Sequence, residues 1–401
     1  RTIGARKGLS DRTLFDAAMA SMGVGSLEVV VPLLESVARQ AYSKYRAAAL
    51  YHLARAYEEA GRREAEALYV EASRAAEETE DDYSALWSTN GRRNLTENAQ
   101  SDGREGLSPP IYPDVPGAPG AETGALVALL EPIAERHAET YPWIARATDL
   151  LHVGETEAAT EELFETYLQW RQALGRPIAR AGLACVASDD SRANPEIPNE
   201  LRDARLELSD EERMTLSRVA ATLGDVGTAG GFAGPDFIDS LPRAYEWLIV
   251  PAARRHGLDP NLLLAVMRVE SAYQKHIVSY AGAVGLLQIM PRTGRMIAHA
   301  LERDGFTPAD LLDPETNLEF GAWYLASLIR RFDGHLPLAV AAYNGGPHNV
   351  RRWMQESSAD TPLDVLLERI PFSQTHRYVR KVLVHYRAYR AQLDLPMPQL
   401  S

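Results

Sequence analysis

The chain has 401 residues, of which 45% are hydrophobic and 24% charged, a balance that is ordinary for a globular protein with two or three domains. No apolar run reaches the roughly 20 residues of a membrane-spanning helix, and the single cysteine, Cys185, excludes an internal disulfide and a cysteine-based metal cluster. Residues 1–235 hold 24 Lys and Arg against 38 Asp and Glu, whereas residues 236–401 hold 18 against 17. An acidic first part argues against binding of nucleic acid there, and the asymmetry suggests two regions with different roles.

The chain begins Arg-Thr-Ile-Gly, and no charged-then-apolar leader follows. We therefore expect either a protein that stays inside the cell or a mature or trimmed form of an exported one.

Three segments near the start, 27–40, 43–60 and 63–78, place apolar residues at three- and four-residue steps and predict helices. Gly61 separates the second segment from the third and predicts a helix stop. The Ala-rich faces resemble helical-repeat proteins of the tetratricopeptide type, so we predict an α-solenoid. The repeat does not recur cleanly, and an irregular helical bundle is the alternative.

Residues 101–122 are rich in Pro, Gly and Ser and predict a long loop or linker, because the pair Pro109-Pro110 and the prolines after it would break any helix. Amphipathic patterns then resume from 123 to 224. Within them, the run from Ser209 to Glu212 is a good capping sequence for the last helix.

The Gly-rich stretch 225–235 predicts a break between domains. It matches neither GxGxxG nor GxxxxGK[ST], so it does not predict phosphate binding. We place the domain boundary here, between a helical scaffold at 1–235 and a second domain at 236–401. Since hardly any stretch alternates with a period of two, we predict an all-α protein.

Glu270 follows an apolar helix that Asp259 would cap and Pro260 would begin. Three apolar residues share its face of that helix: Leu263, Val266 and Met267. Apolar neighbours and the negative end of the helix dipole both raise the pKa of a carboxyl group. A glutamic acid tuned to a pKa of roughly 6 to 7 can act as a general acid. On the helix alone, a solvated glutamate is the alternative reading.

Several motifs lie around Glu270, one before it and the others from Glu270 onward. Over about residues 236–392 the chain resembles the catalytic domain of the soluble lytic transglycosylases, which cleave the glycan strands of peptidoglycan. The matching motifs are Glu270-Ser271 (ES), Gly282 with 285–291 (GLLQIMP), Leu312 to Asn317 (LDPETN), 342–344 with Gly346-Pro347 (AYN and GP), Ile370 to Ser373 (IPFS), and Pro242 with Tyr245 (PxxY).

This resemblance implies a lysozyme-like α-helical fold with a cleft for a β-1,4-linked MurNAc–GlcNAc polymer. The helical block at 1–235 resembles, in architecture alone, the ring-forming α-superhelix of the large family members. Glu270 would be the sole acid and base, and the N-acetyl group of the substrate would stabilise the positive C1. No Asp lies between Glu270 and Gln288, whereas a paired-carboxylate glycosidase needs a partner about 5 to 10 Å away.

The resemblance also implies substrate-binding positions. Ser279 matches a serine that contacts the N-acetyl or lactyl group beside the scissile bond, and Gln288 and Met290 match residues that line the same subsite. Tyr343 matches a tyrosine whose hydroxyl reaches towards the catalytic site, and Asn344 follows it in the AYN motif.

Gln374 stands where the large members have a glutamate, so any electrostatic contact made there would be weaker. Two alternatives remain: a muramidase that hydrolyses the same bond, and an inactive glycan-binding scaffold protein. We predict no cofactor and no metal, because the ten histidines do not cluster as ligand pairs and no calcium loop is found. The expected partner is peptidoglycan rather than nucleic acid. A periplasmic location is inferred from that substrate.

Overall fold

A computed structural model describes residues 10–22, 27–79, 81–98, 119–173, 208–358, 361–395 and 397–398 of the chain. Cys185 and residues 101–118 of the predicted Pro- and Gly-rich loop lie outside the described residues.

The described residues form an all-α structure, as predicted. The helices before residue 235 are α1 (Asp11–Ser21), α2 (Leu27–Ala38), α3 (Arg46–Glu59), α4 (Ala65–Thr79), α5 (Asp82–Asn98), α6 (Pro119–Arg136), α7 (Pro142–His152), α8 (Thr156–Ala173), α9 (Asp210–Leu223) and α10 (Val226–Ala233). Those after it are α11 (Glu246–Arg255), α12 (Pro260–Ser271), α13 (Pro291–Ala300), α14 (Pro314–Arg331), α15 (Leu336–Gly345), α16 (Pro347–Glu356), α17 (Leu363–Glu368) and α18 (Ser373–Ala391). Short 3₁₀ turns occupy Pro235–Phe237 and Pro308–Leu312.

The local signals place several helix ends correctly. Ser209 accepts a hydrogen bond from the N–H of Glu212, while the Glu212 carboxylate accepts one from the N–H of Ser209, which completes the predicted capping box of α9. Gly61 adopts a φ of 65° between α3 and α4, which is the left-handed conformation that ends many helices.

One predicted loop is wrong at its C-terminal end. The loop predicted to extend to residue 122 ends earlier, because α6 begins at Pro119. Proline is tolerated there, since the first turn of a helix does not use its N–H groups.

The predicted Gly-rich break at 225–235 is mostly helical, because it contains α10. Asp225 caps this helix by accepting from the N–H of Thr228 at 3.0 Å. A Cβ on Gly231 would lie 2.4 Å from the ring of Tyr167, so the glycine allows close packing on α8. Tertiary contact here outweighs the low helix propensity of glycine, which is about 1 kcal/mol per residue.

The chain divides into two compact units, residues 1–111 with 324–401 and residues 112–323. The second division falls within α14. Neither division coincides with the predicted boundary at 235 between scaffold and catalytic domain. That boundary stays a prediction.

In the first unit, α1 to α5 pack in sequence, each on the next, and α5 also packs on α18. The apolar core of α1, α2 and α3 includes Val365 of α17. Beside it lies a buried polar cluster, in which the Tyr51 hydroxyl donates to Asp364 at 2.7 Å. Arg380 donates to both Glu368 and Asp81 at 3.1 Å. N-terminal and C-terminal helices are therefore joined by buried charges as well as by apolar packing.

The second unit contains its own core, to which α6, α7, α8, α9 and α10 contribute. Tyr245 begins α11 in the left-handed conformation, and its N–H donates to the carbonyl of Ala221 at 3.1 Å. A Cβ on Gly224 would lie 2.3 Å from the Tyr245 ring. The end of α9 and the start of α11 are thus in direct contact, and this contact connects the first helices of the unit to the segment that carries Glu270.

Candidate active site

Helix α12 presents Glu270 in its last turn. The buried carboxylate of Asp259 accepts from the backbone N–H of Asn261 at 2.9 Å, so the predicted N-terminal cap is confirmed. Leu263, Val266 and Met267, which share the face of Glu270, are at most 1% exposed, whereas Glu270 itself is half-buried. The helix therefore begins in the core, and its last turn places the carboxyl group of Glu270 near the protein surface.

The chain turns sharply after this helix. Ala272 and Tyr273 have φ values of 46° and 68°, and Gln288 has a φ of 45°. A residue with a Cβ pays about 1–2 kcal/mol for this left-handed conformation. Such strained residues cluster at functional sites when the surrounding structure holds them in place. Tyr273 is held in this way, because its side chain is only 1% exposed.

Between α12 and α13 the chain forms a small ladder of three segments. Val278 bridges to Val284, and Val284 bridges to Ile289, both in antiparallel fashion. Ser279 and Met290 each lie next to a bridge residue.

Ser279 stabilises the turn at one end of this ladder. Its Oγ accepts from the N–H of Ala283 at 2.9 Å, and its own N–H donates to the Ala283 carbonyl at 2.8 Å. Because the backbone contact uses the hydroxyl as an acceptor, the O–H proton is left for donation to another group. Met290, at the other end, is 41% exposed.

The side chain of Gln288 also stabilises the loop between α12 and α13. Its amide Nε2 donates to the carbonyls of Gly285 at 2.9 Å and Ile277 at 3.2 Å. Both N–H groups of the amide are thereby used, and Oε1 is the atom of this side chain that a ligand would meet as an acceptor.

Asn317 is a positioning residue that the motif comparison alone did not single out. It lies on α14 and is 1% exposed. Its side chain contacts the buried side of the loop between α12 and α13. Its Oδ1 accepts from the N–H of Leu287 at 2.7 Å, and its Nδ2 donates to the carbonyls of Val284 at 2.9 Å and Leu311 at 2.8 Å. The available signal was its place as the last residue of the LDPETN motif.

Two glycines allow this arrangement. A Cβ on Gly285, which has a φ of 78°, would lie 2.3 Å from Nδ2 of Asn317 and 2.4 Å from the Leu311 carbonyl. A Cβ on Gly321 would lie 2.2 Å from the Leu287 side chain. The loop can approach α14 this closely only because both positions lack a side chain.

The remaining predicted site residues belong to the first unit. The ring of Tyr343 lies 5.5 Å from that of Tyr324, at an angle of 54°. Burial raises the pKa of the Tyr324 phenol, which keeps this neighbour neutral. Asn344 accepts from the buried Thr375 hydroxyl at 2.9 Å, while the predicted Gln374 is exposed on α18. Thr375, which motif comparison did not select, is thus the residue that connects α15 to α18.

The predicted residues fall into two groups. Glu270, Ser279, Gln288 and Met290 lie within 21 consecutive residues of the second unit, and Tyr343, Asn344 and Gln374 lie in the first. Ser279, Gln288, Tyr343 and Asn344 each make a hydrogen bond or ring contact with a residue outside these two groups.

Among the described residues, no group of three or more His, Cys, Asp and Glu side chains is placed to hold a metal ion. Within the same residues, no helix has the length and apolar character needed to cross a membrane.

Comparison with known families identifies the segment that carries Glu270. Residues 248–363 match the transglycosylase SLT domain. The resemblance inferred from the motifs is confirmed for this segment, and the loop between α12 and α13, α14 and Tyr343 of α15 all lie within the matched residues.

The proteins similar to this chain include two soluble lytic murein transglycosylases and one solved structure. The soluble lytic murein transglycosylase of Escherichia coli K12 is 35% identical over 153 residues, which cover 38% of this chain and 24% of the relative. The putative soluble lytic murein transglycosylase of Haemophilus influenzae is 29% identical over 160 residues, which cover 40% and 27%. The chain therefore matches about a quarter of the length of these relatives.

The solved structure is an inactive mutant of the lytic transglycosylase Slt from Pseudomonas aeruginosa. It superposes with a TM-score of 0.56 at 20% identity, over 99% of this chain and 54% of that one. At this identity the likeness supports the all-α fold.

Proposed function

We propose that the protein is a peptidoglycan lytic transglycosylase that cleaves the MurNAc-β-1,4-GlcNAc bond and leaves 1,6-anhydro-MurNAc ends. The observation that carries the proposal is Glu270, half-buried at the end of the apolar helix α12 and followed by the ordered loop that bears Ser279 and Gln288. This arrangement lies inside a segment that matches the SLT domain.

Glu270 would act first as an acid and then as a base. Its carboxyl group donates a proton to the glycosidic oxygen as the C1–O bond breaks, and the N-acetyl group of the substrate stabilises C1. The carboxylate then accepts the proton of the C6 hydroxyl, whose oxygen bonds to C1. One bond breaks, one bond forms, and the proton returns to Glu270 without consumption of water.

The sequence around Glu270 favours this single-acid route over a pair of carboxylates. No Asp or Glu occurs from Ser271 to Leu301, so the loop that would face the sugar contains no second acid. Paired-carboxylate glycosidases need their second carboxylate about 5 to 10 Å from the first.

The hydrogen bonds within the loop define what each binding residue would offer the sugar. Ser279 would donate its O–H to the acetamido or lactyl oxygen, because its bond from the N–H of Ala283 uses the hydroxyl only as an acceptor. Gln288 would accept an N–H or O–H through Oε1, because its Nε2 holds the loop. The exposed Met290 would supply an apolar contact.

Tyr343 would be a further substrate-binding residue that offers its hydroxyl to the sugar. Asn344 would keep its fixed orientation through Thr375. Gln374 would make a neutral hydrogen bond where the family uses a carboxylate. The substrate lies outside the cytoplasmic membrane, so we also propose that the protein works in the periplasm.

The test is digestion of purified peptidoglycan by the whole chain, followed by mass spectrometry of the products. We expect muropeptides that end in 1,6-anhydro-MurNAc, each lighter by one water than the corresponding reducing product. Reducing ends would instead identify a muramidase, and this result would reject the proposed mechanism.

The matched variant is Glu270→Gln, which keeps the shape of the side chain and removes its acid. Loss of the anhydro products in a variant that still binds glycan would support the assignment of Glu270. Unchanged digestion by this variant would show that another group is the acid and base.

A further inference from the structure

Tyr280 is an aromatic residue with no role in the mechanism above. Its side chain is 110% exposed, whereas most tyrosines of the described chain pack at least partly against other residues. The Ser279 carbonyl accepts from the N–H of Gly282 at 2.9 Å, so residues 279–282 form a β-turn with Tyr280 at its second position. A single exposed aromatic is common on protein surfaces, so its location has to supply the argument.

The turn that carries Tyr280 is held in place by hydrogen bonds at its base. Two bonds join Ser279 to Ala283, one of them through the Ser279 side chain. Below them, the N–H of Gly285 donates to the carbonyl of Ile277 at 2.9 Å. The side chain of the buried Asn317 makes hydrogen bonds to the backbone of Leu287 and Val284 in the same loop. An exposed ring on an ordered turn loses little conformational entropy when a ligand covers it.

Tyr280 directly follows a residue of the proposed binding site. Ser279 precedes it directly, and Val278, one residue earlier, is 57% exposed. A pyranose ring in β-1,4 linkage has an apolar C–H face and polar edges. An exposed phenol ring next to a hydroxyl donor suits such a ligand, because the ring can cover the C–H face while Ser279 bonds to the edge.

We propose that Tyr280 contacts the substrate and determines affinity for the glycan strand, by stacking on the pyranose ring next to the sugar that Ser279 holds. This inference rests on the proposed function, since it takes the same polymer as the ligand. The contact is uncharged, so its contribution does not fall with ionic strength as that of an ion pair would.

The experiment compares three variants of the full chain: Tyr280→Ala, Tyr280→Phe and Tyr42→Ala. Tyr42 is a matched control, because it is 102% exposed and belongs to the first unit. Soluble glycan strands without stem peptides serve as the substrate, and KM and kcat are measured at low and at high salt. The dissociation constant of the same strands is measured in a Glu270→Gln background, and melting temperatures verify folding.

We expect Tyr280→Ala to raise KM and the dissociation constant about tenfold at both salt concentrations, from the loss of roughly 60 Å² of apolar contact. The value of kcat should stay within about twofold, as should all constants of Tyr280→Phe and Tyr42→Ala. Tyr280→Ala with unchanged KM and dissociation constant, in a chain that cleaves glycan, would overturn the inference and leave the proposed function intact.

A chain that binds glycan without cleaving it would refute the proposed function, and the dissociation constants of the same variants would still decide the role of Tyr280. A chain that neither binds nor cleaves glycan would overturn both.

Discussion

Replacement of Asn317 by alanine should release the loop that carries Gln288. The Asn317 side chain makes three hydrogen bonds of 2.7 to 2.9 Å, all to backbone groups of buried residues. Loss of a partner costs about 1–3 kcal/mol for each buried polar group that finds no substitute. Since water can enter the vacated space and compensate in part, we expect a local loss of about 2–4 kcal/mol.

Hydrogen exchange of the Leu287 amide measures this loss directly, because that N–H donates to Asn317 Oδ1. Exchange reports local opening and does not require the whole chain to unfold in two states. A loss of 2–4 kcal/mol corresponds to exchange that is faster by a factor of about 30 to 1,000.

The matched control is Asn317→Asp, which keeps an acceptor for the Leu287 amide and removes the donors to Val284 and Leu311. We expect its Leu287 amide to exchange more slowly than that of Asn317→Ala. If the amide in Asn317→Ala exchanges within about twofold of the wild-type rate, Asn317 does not hold the loop, and our account of this site is wrong.

Three further predictions concern the stability of the two units. Ala272→Gly should raise the free energy of unfolding by about 1 kcal/mol, because glycine tolerates the φ of 46° at the end of α12; a lower melting temperature would contradict this. Gly285→Ala should cost at least about 2 kcal/mol, since its Cβ would overlap Asn317 and a carbonyl, and a neutral effect in urea unfolding would show that the loop can move aside. Burial lowers the pKa of His52 from 6.5, against the opposing effect of Asp364. The unfolded state then binds more protons than the folded state, so stability is present above about pH 6.5 and falls as the pH drops below it. His52→Phe should reduce this dependence in melting curves recorded from neutral to acidic pH, and an unchanged slope would assign it to other groups.

The buried polar cluster of the first unit contributes a second pH effect in the same direction. Burial opposes ionisation of Glu368, but the hydrogen bond with His376 and the charge of Arg380 lower its pKa below 4.5. A depressed carboxyl pKa stabilises the fold above the unfolded value and loses this contribution as the pH falls. The His52 effect begins near pH 6.5 and the Glu368 effect below 4.5, so the pH range separates them.

Local sequence signals were sufficient for much of the fold. The cap of α12 by Asp259 and the capping box at Ser209 involve residues two or three positions apart, and the helices show their apolar faces at helical spacing. Such signals depend on the nearest turn of backbone, so they can be read without knowing the rest of the chain. The Gly-rich α10 escaped the same reasoning, because its stability comes from packing on α8 and α9.

For the site, the motifs selected Glu270 and its loop but could not show how the loop is held. Asn317 lies 30 residues from Leu287 in sequence, and Thr375 lies 31 residues from Asn344. Hydrogen bonds over such distances depend on how helices pack, which has no periodic signature along the chain.

By itself, the sequence determined the helical class, the main caps, the SLT resemblance and the candidate acid, because each of these depends on local spacing or on a short motif. Only the tertiary structure decided that Gln288 uses its amide to hold the loop, that Asn317 holds this loop from behind, and that Tyr280 stands exposed on an ordered turn. The physical reason is that hydrogen-bond partners and exposure depend on which atoms meet in space. The packing of whole helices decides which atoms come into contact.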